Sequence, residues 1–333
     1  MENFVADLIF KYDFSWGNPY FLLDILNSRI SITTHSILDM AYGPYDGNPD
    51  LIKNTHDVIY QTTNQRYQHI LITNGASGAL NLILRRFKAK NGQKVFTTPY
   101  GYPSYDSFIN RAGLERVRNL NAMPLHLTTG NHLYMRLIDS PENPTGTQYN
   151  IGDANTDTWD SVYNNQIYTK TPFIVPNHRV MVGSYSKLLG IAGARIGFIA
   201  TNDLLLYEDL KIESKAEYTG VSKLSQELIV SILKQIDLNQ FMRDGSNDLA
   251  DNKYEFTKLE YLFDGQRVNE VGMFYCAKIH PKARDLLDKC GVGYVMLDDD
   301  TIRLSMGQTK KITQEGIQYI LKKDRVQNEK KTK

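Results

Sequence analysis

The chain has 333 residues, 41% hydrophobic and 23% charged, which suits a soluble globular protein with room for two domains or one large core. Its 38 Lys and Arg nearly balance 37 Asp and Glu, so a net charge of +1 gives no reason for a nucleic-acid or anionic-membrane partner. The two cysteines, Cys276 and Cys290, make no disulfide framework, the seven histidines show no metal-ligand spacing, and no apolar stretch reaches the length of a membrane span.

The first residues, Met1 to Phe4, carry an acid early and no basic segment followed by an apolar one, so a cytoplasmic protein is expected. Trp16-Gly17-Asn18-Pro19 is a turn signal, and Phe21 to Ser28 reads as a short helix. A loop from Tyr42 to Leu51, rich in Gly and Pro, opens into a helix that runs to about Gln61. Ile70 to Thr73 is an apolar strand, which Asn74-Gly75-Ala76-Ser77-Gly78 turns into a helix over Leu80 to Phe87. Such a junction presents free N–H groups at the positive end of a helix dipole and suits phosphate; the same glycines equally serve tight packing.

Lys94 to Thr98 is the next strand, followed by Pro99-Tyr100-Gly101-Tyr102-Pro103-Ser104-Tyr105. An aromatic ring at the end of a parallel strand sits where ligands bind in α/β sheets; it can stack on a flat heterocycle or cover a core edge. Tyr134 to Asp139 is a strand entering Ser140-Pro141-Glu142-Asn143-Pro144-Thr145-Gly146, whose Asn-Pro-Thr-Gly is turn chemistry. The segment from Asp157 reads as a strand ending in an acid, Asp160, with Tyr163 three residues on. That acid can cap a loop or hold a positively charged ring nitrogen. Phe198 to Ala200 is a strand, and 203–263 reads as helical with a break near Thr219-Gly220. Beyond it, Met273–Ala277 and Thr301–Met306 read as extended, and Ala283–Cys290 and Ile312–Leu321 as helices. Arg303, inside an apolar strand, needs a partner: an ordinary salt bridge or a substrate carboxylate.

One stretch organises these parts. The apolar run Val180-Met181-Val182 leads to Ser184-Tyr185-Ser186-Lys187, then a glycine-spaced loop that ends at Arg195-Ile196-Gly197. A lysine amine can condense with an aldehyde, and hydroxyls, an arginine and close backbone can hold a phosphate. Pyridoxal phosphate is the group that needs all of these together.

From Tyr42 to Arg303, this ordered set resembles the fold-type-I aminotransferases of class I and II. It looks closest to the alliinase and tryptophan–pyruvate aminotransferase group on four stretches: Ser186–Gly197, Gly220–Gln226, Ile302–Met306, and the span from Asn143 to Asp160. The resemblance implies a mostly parallel central sheet flanked by helices, with a large cofactor domain at 30–215. A smaller α+β domain would take 1–29 and 216–325, and 326–333 a frayed tail. It implies that Lys187 bonds the cofactor aldehyde and acts as base, and that Asp160 pairs with the ring nitrogen. Asn143 and Tyr163 would hold the ring hydroxyl oxygen, and Tyr102 would stack on the ring. Ala76, Ser77, Ser184 and Arg195 would hold the phosphate, joined by Tyr42 from the partner subunit of a homodimer with composite sites. Arg303 would bind the amino acid's α-carboxylate, with Asn143 beside it and Gly17 lining the pocket. The implied reaction moves an amino group between an L-amino acid and a 2-oxo acid. A C–S or β-eliminating lyase uses the same first steps, and a non-catalytic cofactor-binding protein is the remaining alternative. The chain departs from the group at Ile191, where histidine is usual, at Asn164–Ile167, where aromatics are usual, and in lacking the cysteine-rich module of alliinases.

Overall fold

The computed structural model describes residues 10–31, 42–123, 133–149, 157–172 and 180–331. In chain order its elements begin β1 (Tyr12–Asp13), α1 (Phe21–Asn27), α2 (Pro49–Thr63), β2 (His69–Asn74), α3 (Gly75–Ala89), β3 (Lys94–Thr97), α4 (Tyr105–Arg111) and β4 (Glu115–Val117). They continue β5 (Tyr134–Asp139), β6 (Asp157–Asp160), β7 (Val180–Ser184), α5 (Tyr185–Leu188), β8 (Ile196–Thr201), α6 (Leu204–Tyr218), α7 (Lys223–Gln235) and α8 (Leu238–Thr257). The last are β9 (Phe274–Lys278), α9 (Pro281–Lys289), β10 (Val292–Gly293), β11 (Val295–Met296), β12 (Thr301–Ser305) and α10 (Lys310–Lys331).

Seven strands make one sheet in the order β2-β8-β7-β6-β5-β3-β4. All neighbours are parallel except β8, which runs against both β7 and β2. Every residue of β7 and β8 is buried, as expected of strands covered by helices on both faces. One face packs on α3, α4 and α6 through Leu80, Leu84, Phe108 and Leu210. The other packs on α1, α2, α7 and α8 through Leu22, Val58, Ile229 and Phe241. The exposed edge of β2 is covered where the Ile72 N–H donates to the Asp46 carbonyl, 2.9 Å, which removes a free strand edge.

This topology brings chemistry to one end of the sheet. The parallel strands deliver their carboxyl ends there: Asn74, Thr97, Asp139, Asp160 and Ser184. Because β8 is antiparallel, its amino end, with Arg195 just before it, arrives at the same edge, and Ser184 stands opposite Gly197. Ligands of open α/β sheets bind at that edge.

A second, antiparallel sheet has the order β11-β12-β9. The chain near the N-terminus is tied to it: β1 pairs with β10, the Ser305 N–H donates to the Phe14 carbonyl at 2.6 Å, and the Tyr20 N–H donates to the Gly307 carbonyl at 2.5 Å. These bonds carry Ser15 and Gly17 toward the carboxyl ends of the large sheet.

Several boundaries differ from the sequence reading. The helical stretch from 203 breaks twice, at Thr219, which is left-handed at φ 57°, and at Ile236, after which Asp237 caps α8 by accepting from the Gln240 N–H. The second break carries no Gly or Pro, which is why the pattern runs through it. The helix read to Leu321 is longer: α10 continues to Lys331, because the Lys, Glu, Gln and Arg of that segment are also good helix formers. The short elements α4 and β4 carry too few residues to show a period. Among the described residues no helix is long and apolar enough to cross a membrane.

Candidate active site

Lys187 lies on α5, one turn past the end of β7. Ser184 ends the strand and caps the helix, its Oγ accepting from the Ser186 N–H at 3.1 Å. The Tyr168 hydroxyl donates to the Lys187 carbonyl at 2.7 Å, so the backbone is held while the side chain projects. Lys187 Nζ donates to the Gly17 carbonyl at 2.5 Å. Burial first, then the positive charges of Arg303 and Arg195, push the amine down to about 8. An amine so placed is neutral, hence nucleophilic, in a far larger fraction near neutral pH than an exposed lysine.

Asp160 ends β6 and is 5% exposed. Its Oδ2 accepts from the Tyr105 hydroxyl at 2.7 Å and its Oδ1 from the Val162 N–H at 3.4 Å. Burial pushes the carboxyl above the usual range, while those two donors pull it down. A buried acid with no cationic partner among the described residues is suited to a protonated ring nitrogen.

Beside it, α3 presents its first turn to Arg195. Gly75 is left-handed at φ +68°, and a Cβ there would lie 2.6 Å from Arg195 Nη2. Arg195 is itself left-handed at φ 56°, with Nη1 donating to the Ala192 carbonyl at 3.0 Å. At Gly197 a Cβ would lie 2.6 Å from the Ala76 nitrogen, so strand and helix end meet closely. The first N–H groups of a helix have no partner within it, so a helix start next to a guanidinium suits an anion.

The opposite wall comes from β12. The Arg303 Nη1 donates to Asn143 Oδ1 at 3.1 Å and Nη2 to the Ser15 carbonyl at 2.9 Å, while the guanidinium lies 4.5 Å from the centroid of the Phe274 ring. Its Nε is buried without a hydrogen-bond partner among the described residues. Among the described residues no carboxylate pairs with it; its hydrogen bonds go to the Asn143 amide and the Ser15 carbonyl. The Asn143 N–H donates to Asp139 Oδ2 at 3.0 Å. With Oδ1 committed to Arg303, the Asn143 amide keeps its NH₂ for a ligand oxygen.

The sequence profile of the class I and II aminotransferases matches residues 38–320. The chain belongs to this family. It is similar to YugH of Bacillus subtilis, 22% identical over 280 residues that span 71% of this chain and 66% of that protein. It is also similar to (5-formylfuran-3-yl)methyl phosphate transaminase of Methanocaldococcus jannaschii, 23% identical over 76% of this chain and 74% of that one. Among solved structures, the aromatic aminotransferase from Pyrococcus horikoshii superposes with a TM-score of 0.74 at 18% identity, over 96% of both chains. An archaeal alanine:glyoxylate aminotransferase gives 0.75 at 19% identity, over 93% of this chain and 90% of that one. The architecture is fold type I of the pyridoxal-phosphate-dependent transferases, as the sequence resemblance implied.

Within this aminotransferase the expected site residues gather at one edge, with one exception. Lys187, Gly17, Arg303 and Asn143 are linked as described. Tyr163 is buried, edge-on to Tyr168 at 5.1 Å and to Phe274 at 5.8 Å. Burial pushes its phenol up, with the Arg303 charge opposing. Tyr102 packs edge-on to Tyr105 at 5.9 Å, and it is near enough to Tyr163 and Arg303 to perturb their ionisation. Ser184 spends its hydroxyl on α5 and, at 3.4 Å, on the Ile196 carbonyl. The exception is Tyr42, which is 90% exposed at the start of the loop docked on β2.

Three further residues were not singled out from the sequence. Phe274 lies under Arg303 and against Gly17, whose Cβ would be 3.4 Å from its ring. Tyr105 holds Asp160. Glu142, 3% exposed, accepts from the Tyr100 and Gly101 N–H groups at 3.1 and 3.2 Å and from the Thr145 and Tyr149 hydroxyls at 2.5 and 3.1 Å. It clips the Tyr102 loop to the Asn143 turn. Tyr105 and Glu142 stand inside motifs already visible in the sequence, but only the fold tells which of their neighbours they bind.

Proposed function

We propose that the chain is a pyridoxal-phosphate-dependent aminotransferase that moves an amino group between an L-amino acid and a 2-oxo acid. One observation carries the reading: Lys187, Asp160, Asn143 and the cradle of Ala76, Ser77 and Arg195 all leave the same end of one sheet. The fit to the cofactor rests on Gly75 and Gly197, which let Arg195 and β8 approach the first turn of α3 closely, and on the buried acid Asp160 at the same end of the sheet. When bound, pyridoxal phosphate supplies an aldehyde and an electron-withdrawing ring that stabilises negative charge at the amino acid Cα.

The chain supplies placement and proton handling. Arg303 and Asn143 hold the α-carboxylate, a planar group matched by a planar guanidinium. Lys187 Nζ, already depressed in basicity, takes the Cα proton and returns it. Asp160 keeps the proton on the ring nitrogen. Tyr163 and Asn143 donate to the ring oxygen. Phe274 and Tyr102 wall the space and exclude water.

Purified protein is expected to be yellow, and borohydride reduction is expected to fix a pyridoxyl group on the peptide that contains Lys187. An amino acid substrate should shift the absorbance to the amine form without releasing ammonia. Label on any other lysine would sink the reading; ammonia release would favour the eliminating lyase. Arg303→Lys is expected to raise KM for amino acids about 10-fold to 100-fold, the scale of lost hydrogen bonds to a charged group, with cofactor retention little changed. Unaltered amino-acid affinity would assign Arg303 to the fold.

Within the family, the stretches Ser186–Gly197, Gly220–Gln226 and Ile302–Met306 favour the alliinase and tryptophan–pyruvate aminotransferase group. Two free thiols, Cys276 and Cys290, fit a cytoplasmic protein. We further propose a homodimer in which Tyr42 completes the partner's phosphate site. Its ring is 90% exposed, although its loop is anchored through Asp46 and Gly47. Lys187→Ala and Tyr42→Ala homodimers should each be weak. Refolding the two together should restore activity, because the mixed dimer holds one intact site. If mixed dimers form and nothing is restored, Tyr42 serves its own chain.

A further inference from the structure

We propose that Tyr105 decides which of two adjacent buried carboxyls, Asp139 or Asp160, carries negative charge, and that it places the charge on Asp160, beneath the cofactor ring. The inference rests on the cofactor reading above. Asp139 and Asp160 stand directly opposite each other on the parallel neighbours β5 and β6, whose backbones run about 4.8 Å apart. They are 3% and 5% exposed. Two carboxyls this close and this dry do not both ionise readily. Burial pushes both upward, and the neighbouring Asp160 pushes Asp139 further.

What separates them is their donors. Asp139 accepts one backbone bond, from the Asn143 N–H at 3.0 Å. Asp160 accepts a backbone bond from Val162 and the Tyr105 hydroxyl at 2.7 Å. The phenol is a committed donor: it is fully buried, and burial and the two acids hold its own proton on. Its ring is fixed from the other side by Arg116, whose guanidinium lies 5.5 Å from the ring centroid. Arg116 is anchored in turn on Asp106 at 3.0 Å, on Thr97 Oγ1 at 2.9 Å and on the Tyr100 carbonyl at 2.6 Å. Two further charged groups act on Asp139 and oppose each other: Glu142, the stronger, makes ionisation there harder, and Arg116 makes it easier. A neutral Asp139 still accepts from Asn143 and so keeps Asn143 turned to Arg303. The two acids thus divide the work: one holds the substrate side in place, the other faces the ring nitrogen with its charge.

The test is equilibrium binding to apoprotein of pyridoxal phosphate and of its 1-deaza analogue, in which C–H replaces the ring nitrogen. Wild type should prefer the natural cofactor. Tyr105→Phe, which keeps the ring and loses only the hydroxyl, should cut that preference about tenfold or more, the size of a lost hydrogen bond to a charged group. Adding Asp139→Asn to Tyr105→Phe should restore it, because Asp160 then has no competitor. Thermal unfolding confirms that each variant is folded. A merely structural tyrosine would weaken both ligands alike. That result, an unchanged preference in Tyr105→Phe, or no rescue by Asp139→Asn would overturn the proposal. Wild type that binds neither ligand would instead remove the cofactor reading itself.

Discussion

Lys187→Ala is expected to abolish turnover, by about 10⁴-fold or more, while phosphate binding and the fold survive. The amine serves twice, as the nucleophile that holds the aldehyde and as the base at the substrate Cα, and a positioned base alone is worth about 10² to 10⁴. The backbone at this position does not depend on the side chain, because the Lys187 carbonyl is held by Tyr168 and α5 is capped by Ser184. Stability should not fall at pH 7. Burial, above all, pushes the folded amine down from the ordinary lysine value of 10.5 to about 8. Burying the charged form therefore costs stability at pH 7, and that cost fades as pH rises from about 8 through 10.5. The same depression sets the pH dependence of cofactor capture by apoprotein. Its rate should climb through pH 7 to 9, half-complete near 8, and then level off. A midpoint above 10 would mean that the amine is not enclosed as described. Residual turnover near wild type in Lys187→Ala would assign the proton transfer to another group.

Much of this site was legible because its residues stand next to their elements' punctuation. Asn143, Ser184 and Lys187 sit at or just past the end of a largely apolar strand, and such a run locates its own end well. The phosphate cradle was legible as small residues between a strand and a helix. What the sequence withheld was pairing at long range. Nothing near Asp160 says that Tyr105, 55 positions earlier, donates to it, or that Arg303 meets Asn143 across 160 positions. Only the sheet order brings β5 and β6 together and so opposes Asp139 to Asp160. Phe274 was legible only as part of an extended stretch, because an apolar side chain that lines a site obeys the same periodicity as one that fills a core. The N-terminal segment was visible as a turn with Gly17 near the pocket, yet nothing in it says that the Ser15 and Gly17 carbonyls accept from Arg303 and Lys187. Backbone acceptors leave no mark in side-chain chemistry.

Gly197→Ala is expected to damage cofactor binding strongly although it removes no reacting group. A Cβ at this position would lie 2.5 Å from the Gly75 carbonyl carbon, 2.6 Å from the Ala76 nitrogen and 2.8 Å from the Gly183 carbonyl oxygen. All three are backbone atoms, and none can swing aside as a side-chain tip would. Gly197 lies in β8 between β7 and β2, paired with Ser184 on one side and Thr73 on the other. The strand cannot retreat without breaking a ladder, so the first turn of α3 must move. Overpacking of this kind costs about 1–3 kcal/mol, occasionally more, which should appear as a lower Tm of the apoprotein. The larger effect should fall on ligand binding, because the N–H groups of Ala76 and Ser77 are displaced from the place where Arg195 meets them. Affinity for pyridoxal phosphate should drop well over tenfold, whereas pyridoxal, which lacks the phosphate, should bind about as it does to wild type. Gly193→Ala is the control: it lies in the same loop with nothing within 4 Å of its Cβ position, and it should change neither quantity. If Gly197→Ala retains full affinity for pyridoxal phosphate, the first turn of α3 is not where the phosphate sits.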